Sequence, residues 1–289
     1  MEQRSAIYVE RVVAGSPADN VDTDIQKGDK LVALNGTRVN EGENREKLMS
    51  AAIREPEVKL TFSRKGKEFD VKLHTISYSE LKNLLYGEWE ENCRQIVRKK
   101  GKGKIAYTHM RDMGAGELNR FLMDMHTRTV GKEGIILDLR FNNGGNVHKE
   151  VLDFLAQKAH YNWGYRDNET NSHPNVTPGD MPVVVLINER SLSDAEVTSN
   201  GIKALKLATI VGTETYRWVI FTSGASMIDG SSLRLPAWGC YSLDGKDLER
   251  TGVAPDIYVR NTFKDRMDGK DPQLEKGIEE VLRQLKENK

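Results

Sequence analysis

The sequence predicts an α/β protein: a small, mostly β unit over residues 1–75, a linking helix over 76–103, and a larger α/β core over 104–289. Three observations carry that expectation. Residues 1–75 hold short β-rich runs separated by glycine-containing turns. From Lys104 onward, short apolar runs alternate with amphipathic helical patterns, which is how a sheet covered on both faces reads. The 289 residues, 38% of them hydrophobic, are enough for one large or two ordinary domains.

In chain order, Ile7–Val13 is β-rich and ends at Gly15-Ser16-Pro17. Gly28-Asp29 turns into a second strand, Lys30–Leu34. Asn35-Gly36 follows, and this pair suits a type I′ hairpin, which needs positive φ at both central residues. Glu43–Ile53 fits a short helix with Leu48, Ala51 and Ala52 on one face. Val58–Phe62 and Phe69–Leu73 alternate around Lys65-Gly66 and form a second hairpin. Ser77-x-x-Glu80 has capping-box spacing. Leu81, Leu84, Leu85, Trp89, Cys93, Ile96 and Val97 then follow as one helical stripe. The basic run Arg98–Lys104 reads as a solvated helix end, where cations suit the macrodipole.

The core alternates. Strands are expected at Ile105–Thr108, Gly134–Leu139, Val183–Ile187 and Thr209–Val211, and helices at Glu117–His126, Val147–Ala159 and Asp194–Leu207. His160–Asp180 is polar and reads as a long irregular loop. Residues 226–260 return to short strands and turns, and an amphipathic helix runs from Pro272.

Composition excludes several classes. The 43 basic and 43 acidic side chains balance, which argues against a nucleic-acid binder working through a global positive field. The longest apolar stretch, Met181–Ile187, falls far short of the roughly 20 residues of a membrane span. Two cysteines, Cys93 and Cys240, exclude a disulfide framework and a Cys-rich zinc site. No cofactor or metal motif is present: His74, His109, His126, His148, His160 and His173 form no His-Glu-x-x-His pair and no zinc cluster.

Two segments carry chemistry. Ser193 follows a buried strand after a short turn and opens a helix. A hydroxyl there is exposed at the sheet's end, beside helix N–H groups able to hold an oxyanion. Ser193-Asp194-Ala195-Glu196 is equally a plain capping box. Asn142-Asn143-Gly144-Gly145-Asn146 joins a strand to a helix, and its paired glycines let N–H groups face an anion. An ordinary strand-to-helix turn explains them too. Gly-x-Ser-x-Gly and a phosphate loop are both absent. His148 lies just past the glycines, and Glu249 reads as a loop carboxylate.

Together these residues resemble a tricorn-type member of the tail-specific, carboxy-terminal-processing serine proteases. Gly15-Ser16-Pro17-Ala18, Gly28-Asp29-x-Leu31 and Leu34-Asn35-Gly36 resemble that family's PDZ domain. Ile105-Ala106-Tyr107-x-His109-x-x-Asp112-Met113-Gly114 resembles the opening of its catalytic core. Leu137-Asp138-Leu139-Arg140-Phe141-Asn142-x-Gly144-Gly145 resembles the oxyanion loop, and Asn188-Glu189-x-x-x-Ser193-Asp194 the nucleophile segment. Val211-Gly212-Thr213-x-Thr215, Glu249-x-x-Gly252-Val253-x-Pro255-Asp256 and Gly269-Lys270-Asp271-Pro272-Gln273-Leu274 complete the series in order.

The resemblance implies a crotonase-like core behind a PDZ-like domain, and a peptidase working through an acyl-enzyme. It makes Ser193 the nucleophile, gives the oxyanion to the N–H groups of Gly145 and Asp194, and puts Glu249 in the charge-orienting network. Asp167 is the nearest match to an acidic residue that favours cleavage after basic side chains. Peptides are the implied substrates, and a homo-oligomer the implied assembly. The family's catalytic His lies in a helical segment upstream of its PDZ domain; with no glycine in Met1–Ala6, the chain is expected to begin inside that domain and to lack its first strand and carboxylate-binding loop. Arg217-Trp218 stands where tricorn relatives tend to carry two glycines. Trp218 also occupies the position of the lysine in Ser–Lys relatives, which excludes that dyad. Two alternatives follow: a non-catalytic peptide-binding module, and, from the fold alone, an acyl-CoA enzyme.

Overall fold

The structure is a computed structural model that describes residues 6–40, 44–50, 52, 55–166, 170–176 and 178–287. It divides into two compact units, residues 1–92 and 93–289.

The first unit contains β1 (Lys30–Leu34), β2 (Thr37–Arg38), α1 (Arg45–Ser50), β3 (Glu57–Arg64), β4 (Lys67–His74) and the start of α2 (Tyr78–Lys100). Its strands form an antiparallel sheet in the order β2-β1-β3-β4. Both expected hairpins are present. Asn35 and Gly36 have φ of 47° and 81°, and Lys65 and Gly66 have 49° and 79°, the positive pairs that a two-residue turn demands. Leu31, Phe62 and Val71 form one small core, and Leu34, Ala52 and Val58 another. The buried carboxylate of Asp29 accepts both Arg64 Nε (2.7 Å) and Arg64 Nη2 (2.8 Å). Those bonds hold the Asp29 carboxyl below the usual carboxylate range. The expected capping box opens α2: Ser77 N–H donates to Glu80 Oε2 at 2.7 Å, and Glu80 N–H to Ser77 Oγ at 3.1 Å.

One expectation fails here. Ile7–Val13 is not a strand but a single bridge, Tyr8 to Lys30. β2 already occupies that edge of β1 at Ala33 and Leu34, which leaves only the Asp29–Leu31 end to pair. Of the face expected on the short helix, Ala52 is buried, while the Leu48 and Ala51 side chains lie outside the described residues.

The second unit is built on β5 (Ile105–His109), β6 (Gly134–Asp138), β9 (Val183–Ile187), β10 (Thr209–Gly212) and β13 (Ile257–Tyr258). Between these run α3 (Ala115–Arg128), α4 (His148–Leu155), β7 (Tyr161–Trp163), β8 (Asn171–His173), α5 (Asp194–Ala204), β11 (Phe221–Ser226), β12 (Ser232–Trp238) and α6 (Leu248–Thr251). α7 (Phe263–Met267) and α8 (Pro272–Glu287) close the chain. The five main strands are all parallel, and their spatial order β5-β6-β9-β10-β13 is also their chain order.

Strand chemistry follows from this layering. Val183, Val185 and Ile187 of β9 join a core with Phe121, Met125, Val151, Phe154, Ala195 and Ile202 of α3, α4 and α5. Val184 and Leu186 point the other way, against Gly277 of α8. Both faces are covered, so no residue of β9 needs to be polar.

Several boundaries differ from expectation, among them the end of α5, which stops at Ala204 where Leu205 caps it rather than running to Leu207. α4 stops at Leu155, because Ala156 caps it and the chain enters the β7–β8 hairpin. That hairpin lies inside the segment expected to be an irregular loop; its strands, Tyr-Asn-Trp and Asn-Ser-His, are three residues each and exposed on both faces, so no buried apolar face marks them. The β11–β12 hairpin begins at Phe221, ahead of the expected residue 226.

Candidate active site

Parallel strands end on one side of their sheet, so the loops after β6 and β9 are neighbours, with Asp138 paired to Leu186 at the last shared rung. Ligand sites of open α/β sheets form at such carboxyl ends. Leu192 N–H donates to the Asn142 carbonyl at 2.9 Å and Phe141 N–H to Asn188 Oδ1 at 3.1 Å. Ser191 Oγ donates to the Leu139 carbonyl at 2.8 Å. These bonds lace the glycine loop to the turn that carries Ser193.

Ser193 opens α5 with φ 51° and ψ −115°. Positive φ in a non-glycine residue costs on the order of 1–3 kcal/mol and persists only where its surroundings impose it. Gly144, at φ 78°, is packed directly against it: a Cβ on Gly144 would lie 2.6 Å from Ser193 Cβ and 3.0 Å from the Leu192 carbonyl. Gly145 is pressed onto Met113, where a Cβ would come within 2.1 Å of the Met113 carbonyl oxygen. Asn142, fully buried, shapes the loop by accepting Gly144 N–H on Oδ1 at 2.8 Å and donating Nδ2 to the Met110 carbonyl at 2.8 Å. Among the described residues, neither the Gly145 N–H nor the Asp194 N–H has a hydrogen-bond acceptor. Two open donors thus flank the serine, one from the loop and one from the helix N-terminus.

Glu196 does more than cap. It stands in capping-box register with Ser193 and accepts Ser193 N–H on Oε2 at 2.9 Å. The same buried carboxylate also accepts Trp218 N–H at 2.8 Å, Arg217 N–H at 2.7 Å and the Thr215 hydroxyl at 2.7 Å. Thr215 Oγ1 in turn accepts Val253 N–H at 2.8 Å. One side chain therefore joins the serine turn to the segment after β10 and, through Thr215, to the segment after α6. Sequence reading saw only the cap, because partners 19 to 22 residues away leave no local pattern.

The Asp194 carboxylate takes His148 N–H at 2.9 Å and His148 Nδ1 at 2.5 Å. Glu249 is exposed on the first turn of α6, its N–H donated to Asp247 Oδ1 at 3.0 Å. Leu248 beside it packs with Val219 and Val253, against which Val197 of α5 also lies. Among the described residues no hydrogen bond joins the Glu249 carboxylate to Ser193. Asp167 lies outside the described residues. Arg217, at φ 73°, pairs with Glu214, and Trp218 is half exposed.

Both thiols are poor nucleophiles. Burial, followed by the Glu196 and Asp247 charges, pushes the Cys240 thiol up. Burial pushes Cys93 up to about 12. Among the described residues no group of three or more His, Cys, Asp or Glu is arranged to hold a metal, and no helix is long and apolar enough to cross a membrane.

Behind the site, Arg140 is buried and bridges two carboxylates. Its Nη2 donates to Asp138 Oδ2 at 2.7 Å, its Nη1 to Asp271 Oδ1 at 2.7 Å, and Tyr107 Oη adds a bond to Asp138 Oδ2 at 2.9 Å. Burial raises the Asp271 carboxyl, but the Arg140 charge and hydrogen bonds outweigh it and leave the group below its ordinary value.

A parallel sheet, a glycine loop and a strained serine place the chain among α/β proteins whose candidate site lies at the carboxyl ends of the strands. Comparison with known proteins narrows the class. Residues 104–259 match the model of peptidase family S41, and residues 1–75 match a PDZ domain. The chain belongs to peptidase family S41, with a PDZ domain ahead of the protease fold. A tricorn-like protease C-terminal subunit of Sulfurisphaera tokodaii is 32% identical over 94% of this chain and 31% of its own length. The tricorn protease of Thermoplasma volcanium is 30% identical over 93% of this chain and 26% of its own length. The crystal structure of the tricorn protease superposes with a TM-score of 0.79 at 26% identity, covering 97% of this chain and 28% of that one. The chain therefore spans about a third or less of the length of these relatives.

Proposed function

We propose that this chain carries the acylation site of a serine peptidase that trims peptides. Ser193 Oγ attacks the scissile carbonyl, and the oxyanion that forms accepts the N–H groups of Gly145 and Asp194. The amine leaves with a proton, and water then hydrolyses the Ser193 ester. The general base is a histidine that the family resemblance assigns to a segment upstream of the PDZ domain, and Glu249 orients charge in the same network. Asp167 is the proposed acidic partner of a basic substrate side chain. By the same likeness the working protein is a homo-oligomer.

The observation that carries this reading is the positive φ of Ser193 against Gly144, beside two N–H groups that have no acceptor among the described residues. A helix cap alone requires neither. Removing one such donor typically costs about 100- to 1000-fold in turnover. In the complete native protein, Ser193→Ala is expected to abolish peptide hydrolysis and labelling by a serine-directed phosphonate, with the unfolding midpoint nearly unchanged. Undiminished turnover in that variant would sink the assignment.

A further inference from the structure

The two open donors sit on different elements. Gly145 belongs to the loop that leads into α4, and Asp194 is the first residue of α5. An oxyanion site works only while both N–H vectors hold a fixed separation, to within roughly 0.5 Å. Something must tie the N-terminus of α4 to that of α5.

The geometry points to His148 as that tie. His148 is the first residue of α4, three positions after Gly145, and meets the Asp194 carboxylate twice: its N–H reaches Oδ2 at 2.9 Å and its Nδ1–H reaches Oδ1 at 2.5 Å. The Asp194 side chain is 4% exposed and that of His148 35%. Asp194 therefore has two roles in the proposed site. Its backbone N–H faces the oxyanion, and its carboxylate satisfies the first turn of the neighbouring helix, where a negative charge also suits the macrodipole. The imidazole completes the second carboxylate oxygen, so the carboxylate is held in one rotamer. We infer that His148 is a positioning residue: through the Asp194 carboxylate it sets the Asp194 N–H against the Gly145 N–H. This rests on the assignment of those two donors to the oxyanion.

The test compares His148→Ala, His148→Asn, Asp194→Ala and the His148/Asp194 double alanine variant in the complete native protein. Asp194→Ala keeps the backbone N–H, so any loss it shows comes from the carboxylate. Each single alanine variant is expected to lower kcat by about 10- to 100-fold, the scale of a misplaced reacting geometry, with KM within about twofold. Each is also expected to weaken a peptide aldehyde, whose adduct presents an oxyanion, by the same factor. The double variant should lose no more than Asp194→Ala alone, since that variant already removes the Nδ1 bond that His148→Ala removes. Asparagine, whose amide N–H reaches the place of Nδ1, should restore most of kcat.

Equal activity of His148→Ala and the native protein, multiplicative losses in the double variant, or a failure of asparagine to rescue would each overturn the inference. Ser193→Ala serves as the reference. If it retains turnover, the acylation-site reading itself fails; if it is inactive while His148→Ala is fully active, only the His148 inference fails.

Discussion

Glu196→Gln tests how much of the site hangs on one buried carboxylate. Oε1 accepts the Thr215 hydroxyl and Arg217 N–H, and Oε2 accepts Ser193 N–H and Trp218 N–H, at 2.7 to 2.9 Å. A carboxylate offers only acceptors, whereas glutamine replaces one oxygen by an NH2 of the same size. Turned one way, that NH2 confronts Ser193 N–H and Trp218 N–H. Turned the other way it confronts Arg217 N–H, and the Thr215 hydroxyl must rotate to accept it. The milder orientation strands one buried donor and the harsher one strands two. At about 1–3 kcal/mol for each, the milder orientation costs about 1–3 kcal/mol and the harsher about 2–6 kcal/mol. Typical folding stabilities are only about 5–15 kcal/mol, so the effect is a large share of the whole.

Urea denaturation measures it directly, as a lower midpoint at unchanged slope. Either orientation breaks the junction between the serine turn and the segment after β10, at Arg217 N–H or at Ser193 and Trp218 N–H, so phosphonate labelling of Ser193 should also slow, by about tenfold or more. A loss below about 1 kcal/mol together with an unchanged labelling rate would refute the view of Glu196 as the junction of this site.

Two further outcomes follow from the geometry. Gly144→Ala puts a methyl group 2.6 Å from Ser193 Cβ at φ 78°, against the backbone carbonyl of Leu192, which has little room to yield. A stability loss of about 2 kcal/mol and a drop of about 100-fold in turnover are expected, read by denaturation and peptide hydrolysis; near-native turnover would show that the loop and the serine turn are not packed as described. Asp271→Asn should cost about 3 kcal/mol at neutral pH by leaving the Arg140 charge short of a partner. Since the folded Asp271 carboxyl lies below its ordinary value, its stabilisation is complete above about pH 4 and is lost as pH falls through the depressed value. The gap between variant and native midpoints should therefore close on acidification; a gap that widens in acid would contradict the sign.

Much of this was legible in the chain because the signals are local. Asn35-Gly36 and Lys65-Gly66 demand positive φ within two residues, and Ser77 and Glu80 satisfy each other within one helical turn. Val183–Ile187 reads as a strand because five consecutive apolar residues need two covered faces. Ile7–Val13 misled because β propensity says nothing about whether a sheet edge is vacant. The β7–β8 hairpin stayed hidden because both its faces are exposed.

By itself, the sequence determined the order of the elements, the class of the core and the residues with chemical potential, since spacing, turn type and resemblance all live in the linear chain. Only the tertiary structure decided what Ser193, Glu196 and His148 touch. Parallel strands bring the ends of β6 and β9 together although the loops are some fifty positions apart, and it is there that Gly144 meets Ser193 and His148 meets Asp194. A carboxylate that gathers donors from residues 193, 215, 217 and 218 has no signature along the chain, because hydrogen bonds are drawn by distance in space and not by distance in sequence.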